Sequence, residues 1–318
     1  MHLKDTTTGE IMKALGELLH DVGGTSNLAL NLVALTTEDE REEVEQAASQ
    51  AAQEHPYRLI LAIPRDVDAE SPRIDAEVTL GERLGAAEAI ILRLDGAATA
   101  RLTSIVLPML APDVPVVTWW LLDPVKFGLA QELRSFADRR ITYSARAADP
   151  VESLYRRAQS YVPGDTDICW TRISLWRSLI ASAFDGVSHE VESIEVKANR
   201  NDPSAQLMAA WLHTRLGVSP EIVDTEVERN SEHLPAIVSV SFTMAGGETM
   251  EVERKADGET VLRQEGLPKR RQSLQGRTLG QLLAEELRHL DPDTAYRRVL
   301  DTFQNEYAQR QEAAEAGA

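Results

Sequence analysis

Four short apolar runs in the first half of the chain do most to limit its fold. They are NLALNLVAL (residues 27–35), YRLILAI (57–63), AIILRL (89–94) and VPVVTWW (114–120). Each has the length of a strand, and none alternates cleanly between apolar and polar residues. Such runs suit strands buried on both faces, as in a parallel or mixed sheet covered by helices. A further strand is expected at 140–144. Residues 74–80 do alternate, as a half-exposed strand should.

Helix signals lie between these runs. Thr7 and Glu10 have capping-box spacing, followed by Ile11, Leu15 and Leu18 at helical intervals. Gly23 and Gly24 can close that helix. Thr37 and Glu40 repeat the capping pattern ahead of a helix to about Gln53, with Val44, Ala47, Ala48 and Ala51 on one face. Leu102, Ile105, Val106 and Met109 predict another helix, bent or ended by Pro108. Strands alternating with helices predict a three-layer α/β domain with a parallel or mixed sheet over residues 1–150.

The pattern then changes. Residues 150–161 read as a helix. Asp165 or Thr166 is expected to open a second one, running to Phe184 and apolar on two sides. These form connecting helices over 151–188. From 189 to 318 a C-terminal α+β domain is expected, with a mostly antiparallel sheet. Its strands are predicted at 191–198, 221–228, 236–244, 249–255 and 260–264, with turns at Gly246-Gly247 and Asp257-Gly258. A helix over 203–216 has Asp202 as cap and Pro203 in its first turn. Helices over 279–290 and 294–309 and a frayed tail close the chain.

Charge narrows the partners. The 318 residues hold 33 Lys and Arg against 51 Asp and Glu, a net charge of −18. Phosphate backbones and anionic lipid are repelled by such a chain, so neither nucleic acid nor membrane is expected as a partner. Cys169 is the one cysteine, which leaves no internal disulfide. The opening MHLKDTTTGE has no leader-like apolar stretch, and no run approaches the roughly 18 apolar residues of a span. A cytoplasmic location is expected.

Catalytic signatures do not emerge. The phosphate-cradling, zinc-protease and nucleophile-elbow motifs have no counterpart, and GERLG (Gly81, Gly85) and AGGE (Gly246, Gly247) lack a dinucleotide-site setting. None of His55, His189 and His213 is placed beside a serine or cysteine in a way that suggests a nucleophile–base pair. No catalytic residue, metal or cofactor is therefore expected. Lys269, Arg270, Arg271 and Arg277 form a basic cluster that could hold a phosphate or a partner's carboxylates. The plainer alternative is neutralisation of Glu285 and Glu286. PGDTDICWTRISLWR (163–177) admits two readings: a capped helix with core tryptophans, or an interface rich in Trp and Arg.

Several segments together resemble a known family. DTTTGEI (5–11), EHPYRLI (54–60), PVVTWW (115–120), the 163–177 block, NRNDPSAQLMAAWL (199–212) and LPKRRQSL followed by LLAEELRHLDPD occur in this order. That order is similar to OpcA, the glucose-6-phosphate dehydrogenase assembly family of actinobacteria and cyanobacteria. The resemblance runs from about residue 5 to 300. It implies a non-catalytic partner that promotes assembly or allosteric activation of the dehydrogenase in the oxidative pentose phosphate pathway. Cysteine-pair redox control, linked to the cyanobacterial branch, does not carry over to a chain with only Cys169, which suggests an actinobacterial-type member. Trp170, Arg172, Trp176, Arg177, Asn199, Asn201 and Asp202 are the expected partner-binding residues. Two alternatives remain open: a lactonase-like enzyme acting on sugar phosphates, and a binding protein that senses a sugar-phosphate effector through the basic cluster.

Overall fold

A computed structural model describes residues 1–22, 28–81, 88–121, 136–185, 190–226, 235–255, 259–274 and 276–316. The expected Gly23-Gly24 stop, the Asp257-Gly258 turn, Gly85 and His189 lie outside these residues. The chain forms two compact units. One comprises Met1–Tyr143, Gly164–Thr166 and Leu279–Pro292, the other Ser144–Pro163, Asp167–Thr278 and Asp293–Ala318.

The first unit is built on a mixed sheet. Its strands are β1 (His2–Leu3), β2 (Leu30–Leu35), β3 (Tyr57–Pro64), β4 (Arg73–Leu80), β5 (Glu88–Asp95), β6 (Val116–Trp120), β7 (Arg139–Thr142) and β8 (Asp165–Asp167). They lie in the order β1-β4-β5-β3-β2-β6-β7-β8. The pairs from β5 through β3, β2 and β6 to β7 are parallel, while β4 and β1 add antiparallel strands on one side. Every residue of β2, β3 and β6 is buried, which is why their sequences are mostly apolar, with Asn31, Arg58 and Thr118 as the buried polar exceptions.

Alternation along each strand divides the side chains between two faces. Val33, Leu35, Ile60, Ala62, Ile90 and Leu92 face α1 (Thr8–Val22) and α3 (Leu102–Val106). Tyr57 faces the other way and donates its hydroxyl to the Ala48 carbonyl of α2 (Arg41–Ala52). The expected three layers are present. Helix α8 (Leu279–Arg288) packs on α2 through Gly280, where a Cβ would lie 2.6 Å from Gln50 Oε1 and 2.8 Å from the Ala47 carbonyl. Only a glycine permits so close an approach.

The Thr7–Glu10 capping box forms as expected. Thr7 N–H donates to Glu10 Oε2 at 2.9 Å, and Glu10 N–H donates back to Thr7 Oγ1 at 3.4 Å. The Thr7 N–H, then the hydroxyls of Thr6 and Thr7, hold the Glu10 carboxyl below the usual carboxylate range. The second box does not form. Helix α2 starts at Arg41, and Glu40 at its cap makes no side-chain capping bond. Arg41 at the helix start engages Glu38, Glu45 and Glu77.

The second unit has a six-stranded sheet in the order β10-β9-β11-β12-β13-β14. The strands are β9 (Val191–Ala198), β10 (Glu221–Asp224), β11 (Ile237–Met244), β12 (Thr249–Arg254), β13 (Glu259–Gln264) and β14 (Arg270–Ser273). The β10–β9 pair is parallel and the other four pairs are antiparallel. Val196, Val240, Val252 and Leu262 pair across four strands and form one buried row. Helices α4 (Pro150–Gln159), α5 (Ile168–Arg172), α6 (Ser174–Ala183), α7 (Pro203–Leu216) and α9 (Thr294–Ala316) complete the unit.

Three expectations give way. The long helix from Asp165 is instead β8 followed by two helices broken at Ile173. Gly164, with φ +95°, turns the chain before β8, and Asp165 is pinned by Arg140. The last helix continues to Ala316, past its expected end at 309, and its final turns are exposed. The basic residues 270 and 271 lie inside a strand, where a connecting loop was expected. No helix among the described residues is long and apolar enough to cross a membrane.

Candidate functional site

The 163–177 block is held from both ends. Position 164 requires glycine, both for its positive φ and because a Cβ there would lie 2.5 Å from the Asp138 carbonyl oxygen. The Gly164 carbonyl accepts from Arg140 N–H at 2.9 Å, and Thr142 Oγ1 donates to the Thr166 carbonyl at 2.9 Å. Asp167 is fully buried. Its Oδ1 accepts from Cys169 N–H at 3.0 Å and caps α5, while Oδ2 accepts from Ser144 N–H at 3.0 Å and Ser144 Oγ at 2.5 Å.

The aromatic residues of the block point inward. Trp170 is 3% exposed and donates Nε1–H to Asp293 Oδ2 at 2.8 Å. Asp293 Oδ1 also accepts from the N–H groups of Ala295 and Tyr296, so one carboxylate joins Trp170 to the start of α9. The Arg177 guanidinium lies 3.3 Å above the Trp170 ring centroid, a cation–π contact on a desolvated ring. Trp176 and Arg172 are 2% and 4% exposed. Arg172 is therefore interior, not at the surface. Of the four expected residues here, only Arg177 is half-buried; Leu175 is exposed beside it.

Residues 199–202 make a tight turn between β9 and α7. Asp202 is buried, and its Oδ1 accepts from Ser204 N–H at 3.0 Å as the helix cap. Its Oδ2 accepts from Ala236 N–H at 2.7 Å. Asn199 Oδ1 accepts from Asn201 N–H at 2.9 Å. Burial pulls the nearby Arg254 guanidinium below its usual pKa, against the opposing charge of Asp202. Asn201 and Arg200 stay exposed, with Arg200 fixed by Asp224 and the Ile222 carbonyl.

The basic cluster separates into two parts. Arg277 is half-buried and donates to the Thr171 carbonyl at the end of α5. Lys269, Arg270 and Arg271 are exposed along β14 and the residue before it, where Arg271 has Glu259 at 3.6 Å. Of the two carboxylates that the cluster could neutralise, Glu286 is buried and pairs with Arg139. His213 pairs with Glu306. Among the described residues no three His, Cys, Asp or Glu side chains converge as metal ligands.

Sequence reasoning missed the residues that hold these segments. Arg139, Arg140, Glu286 and Asp293 lie far from them in sequence, and no local pattern marks their pairing. The one available signal was the density of Asp and Arg in and around 163–177.

Comparison with known proteins divides this chain into two consecutive matches. The family model for the N-terminal domain of a glucose-6-phosphate dehydrogenase subunit matches residues 48–159, and the model for the C-terminal domain of the same subunit matches 163–300. A putative OxPP cycle protein OpcA from Synechococcus elongatus is 26% identical over 282 residues, covering 82% of this chain and 57% of that protein. One from Synechocystis sp. is 27% identical over 188 residues, covering 54% of this chain and 40% of that protein. The chain thus spans about half the length of the curated relatives it matches. Among solved structures, an oxidoreductase from Sinorhizobium meliloti is 12% identical with a TM-score of 0.44, over 92% of this chain and 90% of that one. That likeness is too loose to inform the chemistry. With both domain models of one family matched in order, the chain belongs to the OpcA family.

Proposed function

We propose that this chain is a non-catalytic partner of glucose-6-phosphate dehydrogenase, acting in the cytoplasm to favour the enzyme's assembled or active state in the oxidative pentose phosphate pathway. The observation that carries this reading is the pair of matches over residues 48–159 and 163–300, which together cover most of the chain. The mechanism is a population shift. A partner that binds one state of the enzyme better moves the equilibrium by that difference in affinity, typically about 1–3 kcal/mol.

The geometry divides labour among the expected contact residues. Arg177, Asn199 and Asn201 can reach a partner, because each keeps exposed surface. Trp170, Arg172, Trp176 and Asp202 are interior and would act by fixing the position of that surface. A lasting complex needs an interface of roughly 1,200–2,000 Å², so these residues would form only part of it.

Sedimentation of the cognate dehydrogenase with and without this chain tests the proposal. A joint species is expected, weakened by Asn201→Asp and Arg177→Glu in variants that keep their melting temperature. Independent sedimentation at micromolar concentrations would refute it.

A further inference from the structure

Strand β14 closes the strand order of the second sheet. Its inner edge pairs with β13 in register, Val261 opposite Arg271 and Leu262 opposite Arg270. Its outer edge meets no strand among the described residues, so alternate N–H and C=O groups face solvent. Residues 265–272 are all exposed, and Leu267 at the preceding turn is 49% exposed.

Two rows of side chains end on this edge. On the core face, the buried row Val196, Val240, Val252 and Leu262 ends at Arg270. On the opposite face, Ser239, Glu253 and Val261 lead to Arg271. Lys269 shares that face by alternation. Elsewhere on the face Arg263 bonds Glu251 and Glu253, and Lys255 bonds Glu253. Glu259, 3.6 Å from Arg271, is the carboxylate that answers the cations at the edge.

We propose that the outer edge of β14 receives an extended acidic segment of a partner protein as a seventh strand. Acidic side chains of that segment would meet Lys269 and Arg271, while its apolar ones would extend the row that ends at Arg270. Charged edges normally oppose strand addition, and here they do oppose one kind. A second copy of this chain would bring the same three cations to the same edge, so pairing of like edges is repelled. An incoming strand with carboxylates gains both the backbone ladder and the ion pairs. Nucleic acid is the poorer fit, because the net charge of −18 repels a long phosphate backbone.

The test uses the whole chain and a labelled peptide of five Glu-Val repeats, followed by fluorescence anisotropy and by hydrogen exchange along β14. Binding is expected, with slower exchange at residues 270–273. It should weaken at least tenfold for a Lys-Val peptide, for a Glu-Val peptide N-methylated at every residue, and for the protein variant K269E/R270E/R271E. The methylated peptide leaves the protein unchanged, so its result does not depend on the variant folding. Equal binding of the methylated peptide would mean charge attraction without strand addition and would overturn the proposal. So would no binding, tighter binding of a single-stranded oligonucleotide, or self-association of the chain that the triple variant abolishes.

Discussion

Replacing Asp167 by alanine removes the carboxylate that holds the 163–177 block. The side chain is fully buried and accepts three bonds, from Cys169 N–H, Ser144 N–H and Ser144 Oγ. Loss of the helix cap costs about 1 kcal/mol. Each Ser144 donor left buried without an acceptor costs about 1–3 kcal/mol, less whatever rotation of the hydroxyl recovers. The sum is about 3–5 kcal/mol, a large part of the roughly 5–15 kcal/mol that holds a folded protein. At about 2–4 °C per kcal/mol for a unit of this size, the melting temperature should fall on the order of 10 °C. Differential scanning calorimetry reads this directly. Leu175→Ala is the control, since Leu175 is 39% exposed in the same block and its truncation should change little. A melting point for Asp167→Ala within about 2 °C of the unaltered chain, or less than 1 kcal/mol, would refute the structural reading of the block.

Other consequences follow from single side chains. Gly280→Val forces α8 away from Gln50 and Ala47 and should cost about 1–3 kcal/mol by urea denaturation. Gly16→Ala meets open space inside α1 and should stabilise by about 1 kcal/mol in the same assay. Asp75 shows a pH effect. Burial pushes its pKa up, but the Asp5 N–H, Arg73 and Arg65 outweigh it and hold the carboxyl at about 2, below its ordinary 3.8. A depressed carboxylate stabilises the fold above its unfolded pKa and loses that contribution as pH falls through its folded one. The stability gap between the chain and Asp75→Asn should therefore shrink between pH 3.8 and about 2. A gap that stays constant over that range would contradict the assignment.

Much of the fold was legible because burial and sequence periodicity agree. Strands β3 and β9 and helix α7 begin and end within a residue of their expected bounds, since Asp202, Pro203 and Gly217 mark α7 from its own sequence. What escaped was long-range. Asp165 and Thr166 read as a helix start because Asp and Thr both suit a cap; Arg140 and Ser144, about 25 residues earlier, make the segment a strand followed by a cap at Asp167. Strand β14 carries Arg-Arg-Gln-Ser, which has no apolar alternation, and it exists only because β13 offers an edge. The tryptophans and arginines of 163–177 left core and interface both open because the two settings favour the same residue types. Asp293, 123 positions from Trp170, decides for the interior.

Titration of the cognate dehydrogenase with this chain, following NADPH formation against glucose 6-phosphate concentration, tests the central claim most directly. A partner that shifts the enzyme's population should give a saturable change in KM or kcat of roughly 5–150-fold, matching a coupling of about 1–3 kcal/mol, with no turnover by this chain alone. Unchanged KM and kcat at saturating chain, with the enzyme's oligomeric state unaltered, would contradict it.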